Sequence, residues 1–243
     1  MGGILRYLAA VRLNKFISET GVCSRREADA WIAEGRVTIN GARAGVGSVV
    51  GPDDVVAVDG AVVTARDRPP PVYIALNKPV GIVCTTERTV EGNIVDFVDH
   101  PERVFPIGRL DKESEGLILL TNDGDIVNEV LRVEHDHEKE YVVAVDRNVT
   151  DEFITAMSRG VRIDAGQTRP CKIWPVAARV FHIVLTQGLN RQIRLMAAEF
   201  GYRVTQLRRV RIDQITLGLL KPGRWRNLTD AELRNLLPGR TDW

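Results

Sequence analysis

Phe105-Pro106-Ile107-Gly108-Arg109-Leu110-Asp111-Lys112-Glu113-Ser114-Glu115-Gly116-Leu117-Ile118-Leu119-Leu120-Thr121-Asn122-Asp123-Gly124 is the stretch on which the fold turns. Gly116-Leu117-Ile118-Leu119-Leu120-Thr121 reads as a buried strand. Ahead of it, Arg109 and Asp111 flank one leucine on a loop between apolar strands. Rigid loops at strand ends are where carboxylate chemistry is often displayed. Spacing alone favours a structural Asp–Arg pair over a reactive carboxylate.

Downstream and upstream of this stretch, strands are expected at 72–76, 141–145, 181–185 and within 211–217. Helices are expected at 125–131, 150–157 (N-capped by Thr150) and 190–200. Thr229-Asp230-Ala231-Glu232 is a capping box that opens a last helix, its hydroxyl and carboxylate satisfying orphan N–H groups. Strands do not alternate strictly with long helices, so the class is α+β with a mixed sheet. Pro69-Pro70-Pro71 cannot join a helix or the centre of a sheet. A linker at 65–71 therefore separates a unit at 11–64 from a larger one at 72–238. In the smaller unit, Leu13, Phe16 and Ile17 share a helix face that ends at Gly21. Ser24-Arg25-Arg26-Glu27 is a second capping box, Ala28, Trp31 and Ile32 form a buried stripe, and Gly35 is the stop. Short strands follow at 37–39 and 55–58, with turns at Asn40-Gly41 and Asp59-Gly60.

With 243 residues, 44% hydrophobic and 27% charged, the chain is neither a disordered tail, a collagen-like fibre nor a disulfide miniprotein. No apolar run approaches the roughly 18 residues of a membrane span. The mildly apolar residues 3–10 are broken by Arg6 and too short for a secretory signal. Cys23, Cys84 and Cys171 are scattered, which suits reduced thiols and a cytoplasmic protein. The net charge of +1 hides an asymmetry: residues 71–186 hold 13 basic and 19 acidic groups, and residues 187–226 hold 9 and 2. Such a basic stretch suits a polyanion. Arginine outnumbers lysine 27 to 6, which favours phosphate contacts and base stacking; codon preference explains that ratio equally well. GxGxxG, P-loop and HExxH motifs are missing. His135 and His137 are read as a solvated loop, and Cys84 has no base near it in sequence. No metal site, no nucleotide cofactor and no thiol nucleophile are expected.

Two resemblances sharpen this reading. Arg12-Leu13-Asn14-Lys15-Phe16, Ser24-Arg25-Arg26-Glu27-Ala28 and Gly35-Arg36-Val37-Thr38-Ile39-Asn40-Gly41 resemble the S4-type RNA-binding domain. That implies structured-RNA contacts at Arg12, Lys15, Arg25, Arg26, Arg36 and Arg43. Free N–H groups at a helix start also favour phosphate. Gly108-Arg109-Leu110-Asp111, followed by Ser114-x-Gly116-Leu117 and Leu120-Thr121-Asn122-x-Gly124, resembles the motif around the catalytic aspartate of pseudouridine synthases. Leu76-Asn77-Lys78-Pro79-x-Gly81 resembles the family's first motif. His137-Glu138-Lys139-Glu140-Tyr141 resembles the strand with its active-site tyrosine. Gly188-Leu189-Asn190-Arg191-Gln192-Ile193-Arg194-Leu195-Met196 resembles its late arginine motif.

The resemblance spans residues 12–238 and is nearest the branch that modifies single ribosomal RNA uridines, in particular the F-type large-subunit enzyme. It implies that Asp111 acts on the ribose of the target, that Tyr141 stacks on the uracil, and that Arg194 keeps Asp111 ionised. Arg109 would fill the space of the flipped uridine or meet its phosphate. Lys78 and Arg191 match motifs without a chemical role, and Arg191 is grouped with Arg208, Arg209 and Arg211 as RNA-binding. Arg203 belongs to the same basic stretch. Isomerisation neither adds nor removes atoms, so one carboxylate suffices without a cofactor. The expected partner is an rRNA stem-loop, the expected state a monomer without membrane contact. Small-subunit rRNA or tRNA as substrate, and an idle RNA-binding assembly factor, are the alternatives. Two departures stand out: Leu195, where many relatives carry a basic residue, and the apolar Leu219-Leu220, expected to pack on the core.

Overall fold

A computed structural model describes residues 10–64, 69–131 and 137–240. Residues 3–9, linker residues 65–68 and His135 lie outside the described residues.

The N-terminal unit follows its local signals. β1 (Val11–Arg12) leads into α1 (Leu13–Glu19). α2 (Arg25–Ala33) is opened by the Ser24/Glu27 capping box, in which side chain and backbone satisfy each other. β2 (Val37–Ile39) and β3 (Ala42–Arg43) are joined through Asn40-Gly41, with φ of 52° and 79°. Positive φ at both positions gives the turn the twist that antiparallel strands need. β4 (Val49–Val50) pairs with β1, and β5 (Val56–Val58) pairs with β2 and with β6 (Ala61–Val63). Leu13, Phe16, Ile17, Ala28, Ile32 and Val37 close a separate core. Trp31 is half-buried and carries the Arg36 guanidinium 4.9 Å from its ring centre.

The larger unit is built on one mixed sheet. Its strands are β7 (Tyr73–Lys78), β8 (Phe105–Ile107), β9 (Glu115–Thr121), β10 (Lys139–Val145), β13 (Lys172–Ala177), β14 (Val180–Leu185), β15 (Val204–Ile212), β16 (Ile215–Thr216) and β17 (Trp225–Asn227). The order is β13-β14-β10-β15-β9-β7-β17, with β8 on β9 and β16 on β15. β15 and β9 run parallel, and the other neighbours antiparallel. β11 (Arg162–Ile163) and β12 (Gly166–Gln167) form a separate hairpin. The run 117–120 is apolar throughout because β9 is covered on both faces. Ile118 and Leu120 join the core under α3 (Ile94–Val98), α5 (Asp151–Ser158) and α6 (Gln192–Ala198). Leu117 and Leu119 join the core under α4 (Asp125–Leu131) and α7 (Asp230–Leu236). Burying one such leucine contributes roughly 1.5–3 kcal/mol. Thr150 caps α5, and the Thr229/Glu232 box opens α7, as expected.

Several elements differ from expectation. The helix expected over 190–200 begins at Gln192, because Arg191 adopts a left-handed φ of 51° and makes no side-chain cap. The strand expected within 211–217 is the end of the longer β15 and its hairpin partner β16, which meet at Asp213 (φ 48°). β13, β17 and α3 carried no expectation. Leu220 packs on the core, but Leu219 is fully exposed.

Candidate active site

Asp111 sits in a tight turn between β8 and β9, closed by the Ser114 N–H donating to the Asp111 carbonyl (3.0 Å). The turn is tied down from three sides. The Leu110 N–H donates to Cys84 Sγ at 3.4 Å. The Gly81 N–H donates to the Lys112 carbonyl at 2.8 Å. Ser114 is fully buried, and its Oγ accepts from Arg194 Nη2 at 3.2 Å. Gly116 lets β9 start there. It has φ 104°, and a Cβ would lie 2.2 Å from the Arg209 carbonyl oxygen on the parallel strand β15. A side chain at this position would force the two strands apart.

Arg194 is held by two hydrogen bonds, to Ser114 and to the Val204 carbonyl (3.2 Å). That fixes its fork with Nε 4.0 Å from Asp111 Oδ2. The pair joins α6 to the β8–β9 turn across 83 positions of sequence, so spacing gave no hint of it. Arg109 and Asp111, neighbours in sequence, form no ion pair among the described residues.

Asp111 faces a cavity of about 830 Å³ whose wall includes Arg109, Lys139, Tyr141, Arg209 and the 186–191 loop. Tyr141 is buried on β10 and points into it. Arg194 stands behind Asp111, in a smaller neighbouring cavity with Arg191 and Arg203. Cys84 lines the main cavity, but burial pushes its thiol up and away from the thiolate.

Arg209, expected with Arg203, Arg208 and Arg211 to line a basic cleft, stands on the cavity wall. It is 4% exposed, its Nε donates to the Leu117 carbonyl at 2.6 Å, and its guanidinium lies 6.0 Å from the Tyr141 ring centre. Strict alternation would put Arg209 and Arg211 on one face. A bulge pairs Tyr141 with Arg209 and Glu140 with Arg211, so the two turn apart. Arg211 is bound by Glu140 (2.8 Å) and Glu138 (3.0 Å) on the other side of the sheet. Arg208 is half-buried on the same strand. Arg191 pairs with Glu113 at 3.2 Å. His137 is hydrogen-bonded to Asp213.

Lys78, unassigned from sequence, is fully buried, and Nζ donates to the Pro79 (2.9 Å) and Ile82 (2.8 Å) carbonyls. It pins the loop whose Gly81 holds the Asp111 turn. Burial pulls its pKa down. Lys139 was missed altogether. It lies two residues before Tyr141 on the cavity face of β10, and burial, then the neighbouring Arg209, lowers its pKa. The i, i+2 spacing from Tyr141 was the available signal.

In the N-terminal unit, Arg12, Arg25, Arg26 and Arg43 are exposed. Arg36 is engaged by Asp59 at 2.6 Å. Lys15 reaches across to Asp125 of α4 at 2.5 Å, and Arg103 donates to the Cys23 carbonyl at 3.2 Å. Among the described residues, no helix is long and apolar enough to cross a membrane.

The family profile described as RNA pseudouridylate synthase matches residues 72–199, and the S4 domain profile matches residues 11–56. The chain is 57% identical over 228 residues to the dual-specificity RNA pseudouridine synthase RluF of Escherichia coli (strain K12), covering 94% of this chain and 79% of that protein. It is 34% identical over 234 residues to the ribosomal large subunit pseudouridine synthase B of Bacillus subtilis (strain 168), covering 93% of this chain and 95% of that one. A solved structure described as a pseudouridylate synthase superposes with a TM-score of 0.69 at 30% identity, covering 93% of this chain and 100% of that one.

Proposed function

The chain belongs to the RNA pseudouridylate synthase family and carries an S4 domain, and from that premise we propose that it isomerises one uridine in a stem-loop of large-subunit ribosomal RNA, with Asp111 as the catalytic carboxylate. The observation that carries the assignment is the Asp111 carboxylate, steadied by a doubly anchored Arg194, on the wall of a cavity that also holds Tyr141.

The uridine leaves its stack to enter the cavity, as targets of base-modifying enzymes do. Tyr141 offers its ring for stacking, which contributes roughly 1–3 kcal/mol per base. The C1′–N1 bond breaks, the uracil turns, and C5 bonds to C1′. Asp111 either attacks C1′ or takes a ribose proton, and the Arg194 guanidinium faces its carboxylate with Nε 4.0 Å from Oδ2. Arg109, exposed at the cavity mouth without a partner among the described residues, fills the space left by the flipped uridine or meets its phosphate. Residues 11–64 recruit the RNA through Arg12, Arg25, Arg26 and Arg43, and residues 72–238 perform the reaction. Lys15 and Arg36 are engaged within the protein and contribute less. The enzyme acts as a cytoplasmic monomer.

A tRNA stem-loop is the second reading, and the name of the Escherichia coli relative, which says dual specificity for RNA without naming the substrates, leaves room for a second RNA. Pseudouridine mapping of all RNA from a deletion strain separates the two. Loss of one large-subunit site is the expected result. An intact ribosomal pattern with a missing tRNA pseudouridine would move the assignment, and no missing pseudouridine in any RNA would end it.

A further inference from the structure

We propose, resting on the reading above, that Lys139 is a catalytic residue: its ammonium donates to a carbonyl oxygen of the flipped uracil and stabilises the negative charge on the ring when the C1′–N1 bond breaks. Lys139 and Tyr141 are two positions apart on β10, so they share the cavity face. A uracil stacked on Tyr141 therefore lies within reach of a lysine about 7 Å along the strand. One of the three N–H donors is used, on the His137 carbonyl at 2.9 Å. The other two are left for a ligand.

The charge pattern of the cavity supports an anion at this end. Asp111 is the one carboxylate among the described wall residues, facing Arg109, Lys139, Arg191 and Arg209. Arg191 is neutralised by Glu113, and Arg194, behind the wall, is committed to Asp111 and Ser114. Lys139 has no carboxylate within ion-pair distance among the described residues. Next to it, buried Arg209 has an Nη2 with no hydrogen-bond partner, so its positive charge is not cancelled locally. Two cations with no carboxylate within ion-pair distance are costly in the empty site, and the more distant Asp213 offsets Lys139 only in part. A negative charge developing on a uracil stacked on Tyr141 would match them further.

When C1′–N1 breaks, its electron pair stays on the uracil, spread over N1, O2 and O4, while C1′ either bonds to an Asp111 carboxylate oxygen or forms a C1′=C2′ double bond as the carboxylate takes the C2′ proton. After the ring turns, C5 supplies the pair for C5–C1′ as the C1′–O bond to Asp111 breaks or the proton returns to C2′, and the carboxylate is released unchanged. The C5 proton passes to N1 through solvent. Lys139 keeps its protons throughout.

The test uses the full-length protein and a stem-loop RNA carrying the mapped uridine. Lys139→Met is expected to slow the first turnover by about 100-fold, the usual effect of losing a preorganised donor to a developing anion, with the RNA Kd within about threefold of wild type. A second stem-loop carries 5-fluorouridine at the target. Its electron-withdrawing fluorine stabilises the ring anion without help, so the defect in loss of the N-linked nucleoside shrinks to about tenfold or less. A merely structural lysine would give the same defect on both RNAs. Equal defects, first turnover within about fivefold of wild type, or a loss carried by Kd each overturn the role of Lys139. If Lys139→Met does not fold, Lys139→Gln carries the same comparison. Wild-type protein inactive on the stem-loop would instead break the substrate assignment.

Discussion

The N-terminal unit and the catalytic cavity both present arginines and lysines, but they hold them in opposite ways. Arg25 and Arg26 stand exposed in the first turn of a helix whose cap was readable in four consecutive residues. Arg194, Arg209 and Lys139 are buried or half-buried, and each is fixed by a hydrogen bond to a backbone carbonyl, that of Val204, of Leu117 on the neighbouring strand and of His137 two positions away. Exposed cations attract RNA through a field that salt screens, and any one of them is replaceable. Buried cations act through fixed geometry in a low dielectric, where one displaced donor is felt at the reacting atoms. The contrast predicts that changes in the first region cost binding and changes in the second cost turnover.

The largest expected effect attacks the frame of the cavity. In Gly116→Val the new Cβ collides with the Arg209 carbonyl at a positive φ, so the β9–β15 junction must part. Unfolding in denaturant should show a loss of about 4 kcal/mol or more. A variant as stable as wild type would mean that this junction does not hold the Asp111 turn. Next comes Arg194→Lys, which keeps the charge but not the fork that spans Ser114 and Val204. First-turnover rates should fall by about 100-fold with Kd nearly unchanged; a defect confined to Kd would place Arg194 with the surface cations.

The paired change Arg25→Gln and Arg26→Gln probes the other side of the comparison. RNA binding should weaken, and the slope of log K against log salt should become shallower by about 1–2, while turnover at saturating RNA is unchanged. An unaltered slope would remove these arginines from the RNA surface. Ser24→Ala breaks the capping box and should cost about 1 kcal/mol of stability with no change in turnover. The smallest expected effect is none. Exhaustive EDTA treatment should leave activity intact on a stem-loop that folds in monovalent salt; loss of turnover with binding retained would require a metal.

What the sequence made legible follows the range of the interactions. The capping boxes at Ser24 and Thr229, the Asn40-Gly41 turn and the apolar run of β9 are decided by residues within a few positions of one another, and they read correctly. β13 escaped because Pro175 interrupts it and most of its residues are exposed, as an edge strand allows. The parting of Arg209 from Arg211 escaped because it depends on a bulge opposite Tyr141, which alternation cannot foresee. Motif resemblance brought Asp111, Tyr141 and Arg194 forward together. It was silent on Lys139, whose role depends on what stands beside it in space.

The most direct measurement is the first turnover of Asp111→Asn on the mapped stem-loop, alongside its RNA affinity. The substitution preserves size and hydrogen bonding but removes the charge that Arg194 faces at 4.0 Å. The account predicts no detectable pseudouridine with Kd within about threefold of wild type. Turnover within about tenfold of wild type would contradict it and take the reaction away from Asp111.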